Sequence, residues 1–175
     1  SWGNWQANLL LEGFFTRLSD IFALTELGII DGVLIKERRN ESGAKVYGTN
    51  IEGKIAYKDK LQLQAGVTLQ RSLYDEVHQW AEDVEGVRDM FRTPNFYGYF
   101  VGSYNPVKPL MLSLSGTYTG SMLIEHHAGY IDANRTETTR DFFDMNFKAS
   151  YDFSLFKNII LQLNAGVQNM FNAFQ

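Results

Sequence analysis

The stretch from Asp141 to Gln175 reads DFFDMNFKASYDFSLFKNIILQLNAGVQNMFNAFQ, and its alternation decides the fold. Phe143, Met145, Phe147, Ala149, Tyr151 and Phe153 share one parity, while Asp144, Asn146, Lys148, Ser150, Asp152 and Ser154 share the other, the period of two of a half-buried strand. A turn at Phe156, Lys157 and Asn158 follows. Beyond it Ile159, Leu161, Leu163, Ala165 and Val167 oppose Ile160, Gln162, Asn164, Gly166 and Gln168. Two strands with matching faces make one sheet with one apolar side. A soluble sandwich and a membrane barrel share that pattern, and they differ in what lies against each face.

The same alternation recurs upstream. Leu110, Leu112, Leu114, Gly116, Tyr118 and Met122 oppose Ser113, Ser115, Thr117, Thr119 and Ser121. Leu61, Leu63, Ala65, Val67 and Leu69 oppose Gln62, Gln64, Gly66, Thr68 and Gln70, and Tyr47, Thr49, Ile51, Gly53, Ile55 and Tyr57 oppose Gly48, Asn50, Glu52, Lys54 and Lys58. At the start Trp5, Ala7, Leu9, Leu11, Gly13 and Phe15 share a face opposite Gln6, Asn8 and Glu12, and the strand is expected to continue to about Thr25. Asp31-Gly32 suits the positive φ angles of a tight hairpin. The charged stretch Lys36 to Glu41 places that hairpin's tip in water, with an apolar zone beginning near Val46. Between Tyr74 and Arg92 an acidic connection has room for a short helix, and the aromatic-rich stretch NFYGYFVGSYNP, from Asn95, ends in a turn marked by Pro106 and Pro109.

These readings predict an all-β, antiparallel meander of about seven strands whose connections alternate in length. The turns at Lys58 to Lys60, Asn105 to Pro109 and Phe156 to Asn158 are short. Those at Gly28 to Asn40, Asp75 to Arg92 and Glu125 to Thr139 are long and charged. All the short turns then fall at one edge and all the long ones at the other, the asymmetry of an outer-membrane barrel. The polar faces agree. On the strands at Leu61, Leu110 and Ile159 they carry Gln, Asn, Ser, Thr and Gly with almost no Lys or Glu, whereas a sheet facing bulk water usually carries more charge. Trp2, Trp5, Tyr57, Tyr104, Tyr151 and Phe153 gather towards strand ends, as an interfacial aromatic girdle requires.

Composition bounds the alternatives. The 175 residues are 45% apolar and 14% aromatic, so the chain is not of the disordered class, and its net charge of −4 provides no basic surface for nucleic acid. The absence of cysteine excludes disulfides, thiolate nucleophiles and thiolate metal sites. No apolar run reaches the roughly 18 to 20 residues of a membrane helix, and no signal-peptide pattern opens the sequence. A barrel strand needs only about 9 to 11 residues of alternation.

Several segments also resemble a known family. GFFTRLSD at Gly13 to Asp20, N-x-x-G-A-K-V-x-G at Asn40 to Gly48, R-T-P-N at Arg92 to Asn95 and G-V-x-N-M-F-N at Gly166 to Asn172 are similar, in order and spacing, to C-terminal barrel strands of TonB-dependent outer-membrane receptors. YTGSM at Tyr118 to Met122 and the final NMFNAFQ resemble receptors of the Bacteroidetes type. The resemblance implies a bacterial outer-membrane location and a 22-stranded barrel closed by an N-terminal plug. It also implies uptake of a scarce ligand, such as an iron chelate or cobalamin, energised through the TonB protein. On that footing residues 1–175 correspond to about the last third of the barrel, lacking plug, TonB box, earlier strands and last strand, with outer-membrane lipid as the partner of the apolar face.

No phosphate loop, dinucleotide fingerprint or Gly-x-Ser-x-Gly occurs, so the chain is expected not to be an enzyme and no cofactor is implied. The best candidates for site chemistry are Glu125, His126 and His127, with His78. Adjacent histidines on an extended segment face opposite ways and share one metal only where a loop turns them together. They read either as a solvated loop or as contacts to a metal or iron chelate at the extracellular mouth. The acidic residues Asp75, Glu76, Glu82, Asp83 and Glu85 lack the spacing and glycine of a calcium loop. Arg92 is placed to pair with an acidic group at the loop base; Asn169 and Asn172 resemble a family feature that shapes the end of the last strand, and read as packing. The rival to a transport protein is a soluble, non-catalytic β-sandwich or barrel that binds, for example, carbohydrate through its aromatics.

Overall fold

The structure is a computed structural model that describes residues 3–129 and 131–174, with backbone alone described at 23–26, 29, 34 and 41. Trp2 lies outside the described residues. Twelve strands and no helix occur among the described residues: β1 (Trp5–Leu18), β2 (Ile21–Ile30), β3 (Val33–Glu41), β4 (Ala44–Tyr57), β5 (Leu61–His78), β6 (Val87–Asp89), β7 (Phe96–Val107), β8 (Leu110–Thr119), β9 (Leu123–His126), β10 (Arg135–Thr138), β11 (Phe142–Phe156) and β12 (Ile159–Val167). Seven of them form an antiparallel meander in the order β1-β4-β5-β7-β8-β11-β12, with β6 beside β5 and two separate hairpins, β2–β3 and β9–β10.

The registers align the alternation of every strand with its neighbours. Leu11 lies opposite Ile51, and Ile51 opposite Val67. Leu112 lies opposite both Tyr104 and Ala149, and Ala149 opposite Ala165. A one-residue slip through a ladder would invert a whole strand; the two shifts on the path, between Ser154 and Phe156 and between Tyr104 and Val107, fall at strand ends beside the short turns and leave the rest of each ladder in register. One face is therefore apolar from β1 to β12. It is not covered by protein: Leu9 is 75% exposed, Leu11 68% and Phe15 67%, and the buried apolar residues among those described are only Ala44, Trp80, Ala81 and Val84. The accessible surface of 12548 Å² compares with about 8,700 Å² expected for a soluble monomer of this mass. The excess is that of a single sheet with neither face covered, and its apolar face is an area that water does not tolerate on a monomer.

Aromatic side chains bracket that face in two belts. On β1 they are Trp5 and Phe15, on β4 Tyr57 and Tyr47, and on β11 Phe153 and Phe143, in each case ten residues apart. Ten residues of strand tilted by roughly 40° span about 25 Å across a membrane, the height of the apolar band of an outer-membrane barrel. Trp5 packs on Tyr57, with ring centroids 4.7 Å apart, and Tyr151 on Phe153 at 4.5 Å.

The connections keep the predicted asymmetry. β4 to β5, β7 to β8 and β11 to β12 turn within two or three residues, whereas the connections from β1 to β4, β5 to β7 and β8 to β11 carry the extra strands. Two expectations are corrected. The first strand does not run on to Thr25, because Asp20 adopts φ 53° and β2 leaves the sheet to pair with β3 alone. The acidic connection after Tyr74 forms no helix; β5 continues to His78 and a turn leads into β6. The Asp31-Gly32 turn is as expected, joining Ile30 to Val33 with φ 51° and 81°.

Candidate functional site: a polar wall beneath a folded cap

The second face of the meander is concave and lined mainly by neutral hydrogen-bonding groups, with Glu12, Glu52, Lys54, Asp144, Lys148 and Asp152 among them. Three open clefts, of about 490, 930 and 810 Å³, lie on it, lined mainly by side chains of the polar parity. Its hydrogen bonds run from strand to strand. Thr68 Oγ1 donates to Asn50 Oδ1 at 2.9 Å, Ser150 Oγ to Asn164 Oδ1 at 2.7 Å, and Gln162 Nε2 to Asp152 Oδ1 at 2.8 Å. These amides, hydroxyls and the Asp152 carboxylate satisfy one another and still present donors and acceptors on the open side of the wall.

The best-organised part is centred on Tyr99 of β7. Its hydroxyl donates to Glu52 Oε2 at 2.5 Å and accepts from Gln64 Nε2 at 2.7 Å, while Lys54 Nζ lies 3.2 Å from the other oxygen of Glu52. Gly66 of β5, opposite Tyr99 in register, makes room for the ring: a Cβ there would meet Tyr99 Cε1 at 2.7 Å. The phenol is thus laid across the backbone of β5 and pinned at its tip. Alternation placed these residues on the polar side, but only the register between β4, β5 and β7 brings them together.

Above the wall the two connections β5–β7 and β8–β11 fold into one cap. Trp80, 1% exposed, packs with Ala81, Val84 and Phe91, and its Nε1 donates to Thr136 Oγ1 of β10 at 3.2 Å. Asn134 Nδ2 donates to Asp83 Oδ1 at 3.0 Å, and the backbone N of Arg92 to the carbonyl of Leu123 at 2.8 Å.

The predicted candidates all lie in this cap and point to separate partners. Glu125, on β9, is 3.6 Å from Arg92, which fulfils the pairing expected of that arginine. His126 Nδ1 lies 2.9 Å from Glu137 Oε2 across the β9–β10 ladder. His127 sets its ring edge-on to Trp80, with centroids 4.8 Å apart. His78, 6% exposed, sits between Tyr74 and Phe91. No group of three histidine or carboxylate side chains among the described residues is arranged to hold a metal ion. Glu137 is held below the ordinary glutamate value of 4.5, first by its hydrogen bond with His126, then, against partial desolvation, by the charge of Arg135.

At the end of β12 Asn169 and Asn172 take φ 47° and 50°. The Asn169 side chain bonds both the N and the carbonyl of Ala173, and its backbone N donates to Asn146 Oδ1. These asparagines shape the strand end through backbone conformation and hydrogen bonds; both are exposed, so the packing role read from the sequence is corrected.

No protein-family model and no curated protein matches the chain. Among solved structures it is similar to the closed form of the ferric-catecholate import receptor Fiu from E. coli K12, with a TM-score of 0.61 and 20% identity over 93% of this chain and 21% of that one. It is also similar to the siderophore receptor PirA from Acinetobacter baumannii, with a TM-score of 0.62 and 15% identity over 94% of this chain and 25% of that one. The chain spans about a fifth to a quarter of the length of these receptors. Its two-faced, seven-strand meander with long connections at one edge has the fold of part of a siderophore receptor.

Proposed function

We propose that residues 1–175 are the C-terminal barrel segment of a TonB-dependent receptor in the bacterial outer membrane, one that imports a scarce ligand such as an iron chelate or cobalamin. The observation that carries this reading is the register-wide division of the sheet. One face is apolar, uncovered and bracketed by aromatic belts about a membrane's width apart; the other is concave and hydrogen-bonding, with a few charged side chains among its amides and hydroxyls. Lipid covers the first, and ligand passes the second once a plug has moved. The similarity to two siderophore receptors supports the same reading. In this reading Glu125, His126 and His127, in the cap at the mouth, contact the arriving ligand.

The test is uptake of labelled ferric chelates and cobalamin by cells producing the full-length protein, with and without a protonophore. Uptake abolished when the proton gradient collapses is the expected result. A protein that fractionates as soluble and shows no such uptake would be a binding module, and the transport reading would fall.

A further inference from the structure

The cleft of about 810 Å³ beneath the cap combines aromatic, amide and carboxylate side chains. Its size lies within the range of small-molecule sites. Tyr97 and Tyr99 supply aromatic surface, and Asn50, Thr68, Gln70 and Thr117 supply amides and hydroxyls. The charged side chains lining it are Glu12, Glu52 and Arg92. Arg92 is already 3.6 Å from Glu125, and the nearby Lys54 is 3.2 Å from Glu52, so each cation has a carboxylate beside it. The rest of the polar face adds Asp144, Asp152 and Lys148. This arc of wall is net negative. An iron complex of three catecholates is a trianion, and bringing it to such a surface sets like charge against like charge in a partly desolvated cleft. An iron complex of three hydroxamates is neutral. It presents oxygen acceptors to amide and hydroxyl donors, and apolar linkers to an aromatic ring.

Resting on the transport reading above, we propose that this cleft is a subsite for a neutral, oxygen-ligated chelate of the trihydroxamate type, with Tyr99 laid on Gly66 as its stacking platform, and that it disfavours tris-catecholates. The chain would then share a fold with a ferric-catecholate import receptor and differ from it in the charge of the ligand it admits.

The experiment is uptake of iron-labelled ferrichrome and ferric enterobactin by cells producing the full-length receptor, with labelled cobalamin as a third substrate. Ferrichrome is expected to enter at least tenfold faster than ferric enterobactin at equal concentration. Glu12→Lys should narrow that ratio severalfold. Tyr99→Leu should raise the half-saturating concentration of ferrichrome about tenfold, with the amount of receptor in the outer membrane unchanged. Faster uptake of ferric enterobactin overturns the proposal and leaves transport standing. So does gradient-dependent uptake of cobalamin alone. Uptake of none of the three overturns both.

Discussion

At the scale of single residues, the division between an apolar and a polar face makes neighbours in sequence behave oppositely. Leu9 is 75% exposed on the apolar face, near the midpoint between Trp5 and Phe15, and lies opposite Gly53. Leu9→Arg is expected to cost about 2–4 kcal/mol of barrel stability, the depth-dependent penalty for arginine at the bilayer midplane. Asn8→Arg, one residue away on the polar wall, should cost well under half of that. Leu163 lies opposite Tyr151, beside one aromatic belt, so Leu163→Arg should cost only about 0–1 kcal/mol. Urea titration of the full-length protein in bilayers, followed by heat-modifiable mobility, reads all three; equal losses at positions 8 and 9 would defeat the face assignment. The faces were legible in the sequence because a strand's period of two writes its environment into every second residue. The pairing of Tyr99 with Glu52 and Gln64 was not. They come from three strands, and nothing in any one strand's pattern states which residues of the next lie opposite.

Among the elements, the cap carries structure that alternation does not encode. Its strands β6, β9 and β10 are three or four residues long, too short for a periodic signal, and its core is built around one tryptophan. An acidic stretch without strand periodicity therefore suggested a helix where the chain instead turns about Trp80. The sequence marked Arg92 for pairing with an acidic group at the loop base, and Glu125 is the group it meets; it did not show which carboxylate that would be, or that His127 would pack on a ring from the preceding long connection. Trp80→Ala should remove about 3–5 kcal/mol from this local core. Both connections should then become protease-sensitive together while the heat-modifiable barrel persists; cleavage of only one of them would show that they do not fold as a unit. The cap should also respond to acid. Because the carboxyl of Glu137 is held below 4.5 by His126 and Arg135, its ionised form stabilises the fold. That contribution is fully present above about pH 4.5 and is lost as pH falls through the lowered value. Proteolysis of the cap should accelerate below pH 4.5 in the native protein, and that part of the pH dependence should disappear in Glu137→Gln.

For the whole molecule, the question is what solvent the apolar face meets. Of the buried apolar residues among those described, Trp80, Ala81 and Val84 sit in the cap and Ala44 alone lies in the sheet, at the start of β4, so the meander has no protein core of its own and depends on what surrounds it. Two tryptophans at known heights turn that dependence into a measurement. Trp5 lies in the belt nearer the short turns, stacked on Tyr57. Trp80 is enclosed in the cap, away from the apolar band. In vesicles made with brominated lipid, a quencher that acts only at contact range, Trp5→Phe in the full-length protein should remove a quenchable share of the fluorescence. Trp80→Phe should remove only unquenched light. A soluble binding module would leave both tryptophans untouched by the brominated chains, and quenching of Trp80 would place the cap inside the bilayer. The expected pattern fixes orientation as well as insertion: lipid meets the strands between the belts, and the long connections rise beyond it. The connections can then be the part that first meets ligand, because the apolar face has already anchored everything below them.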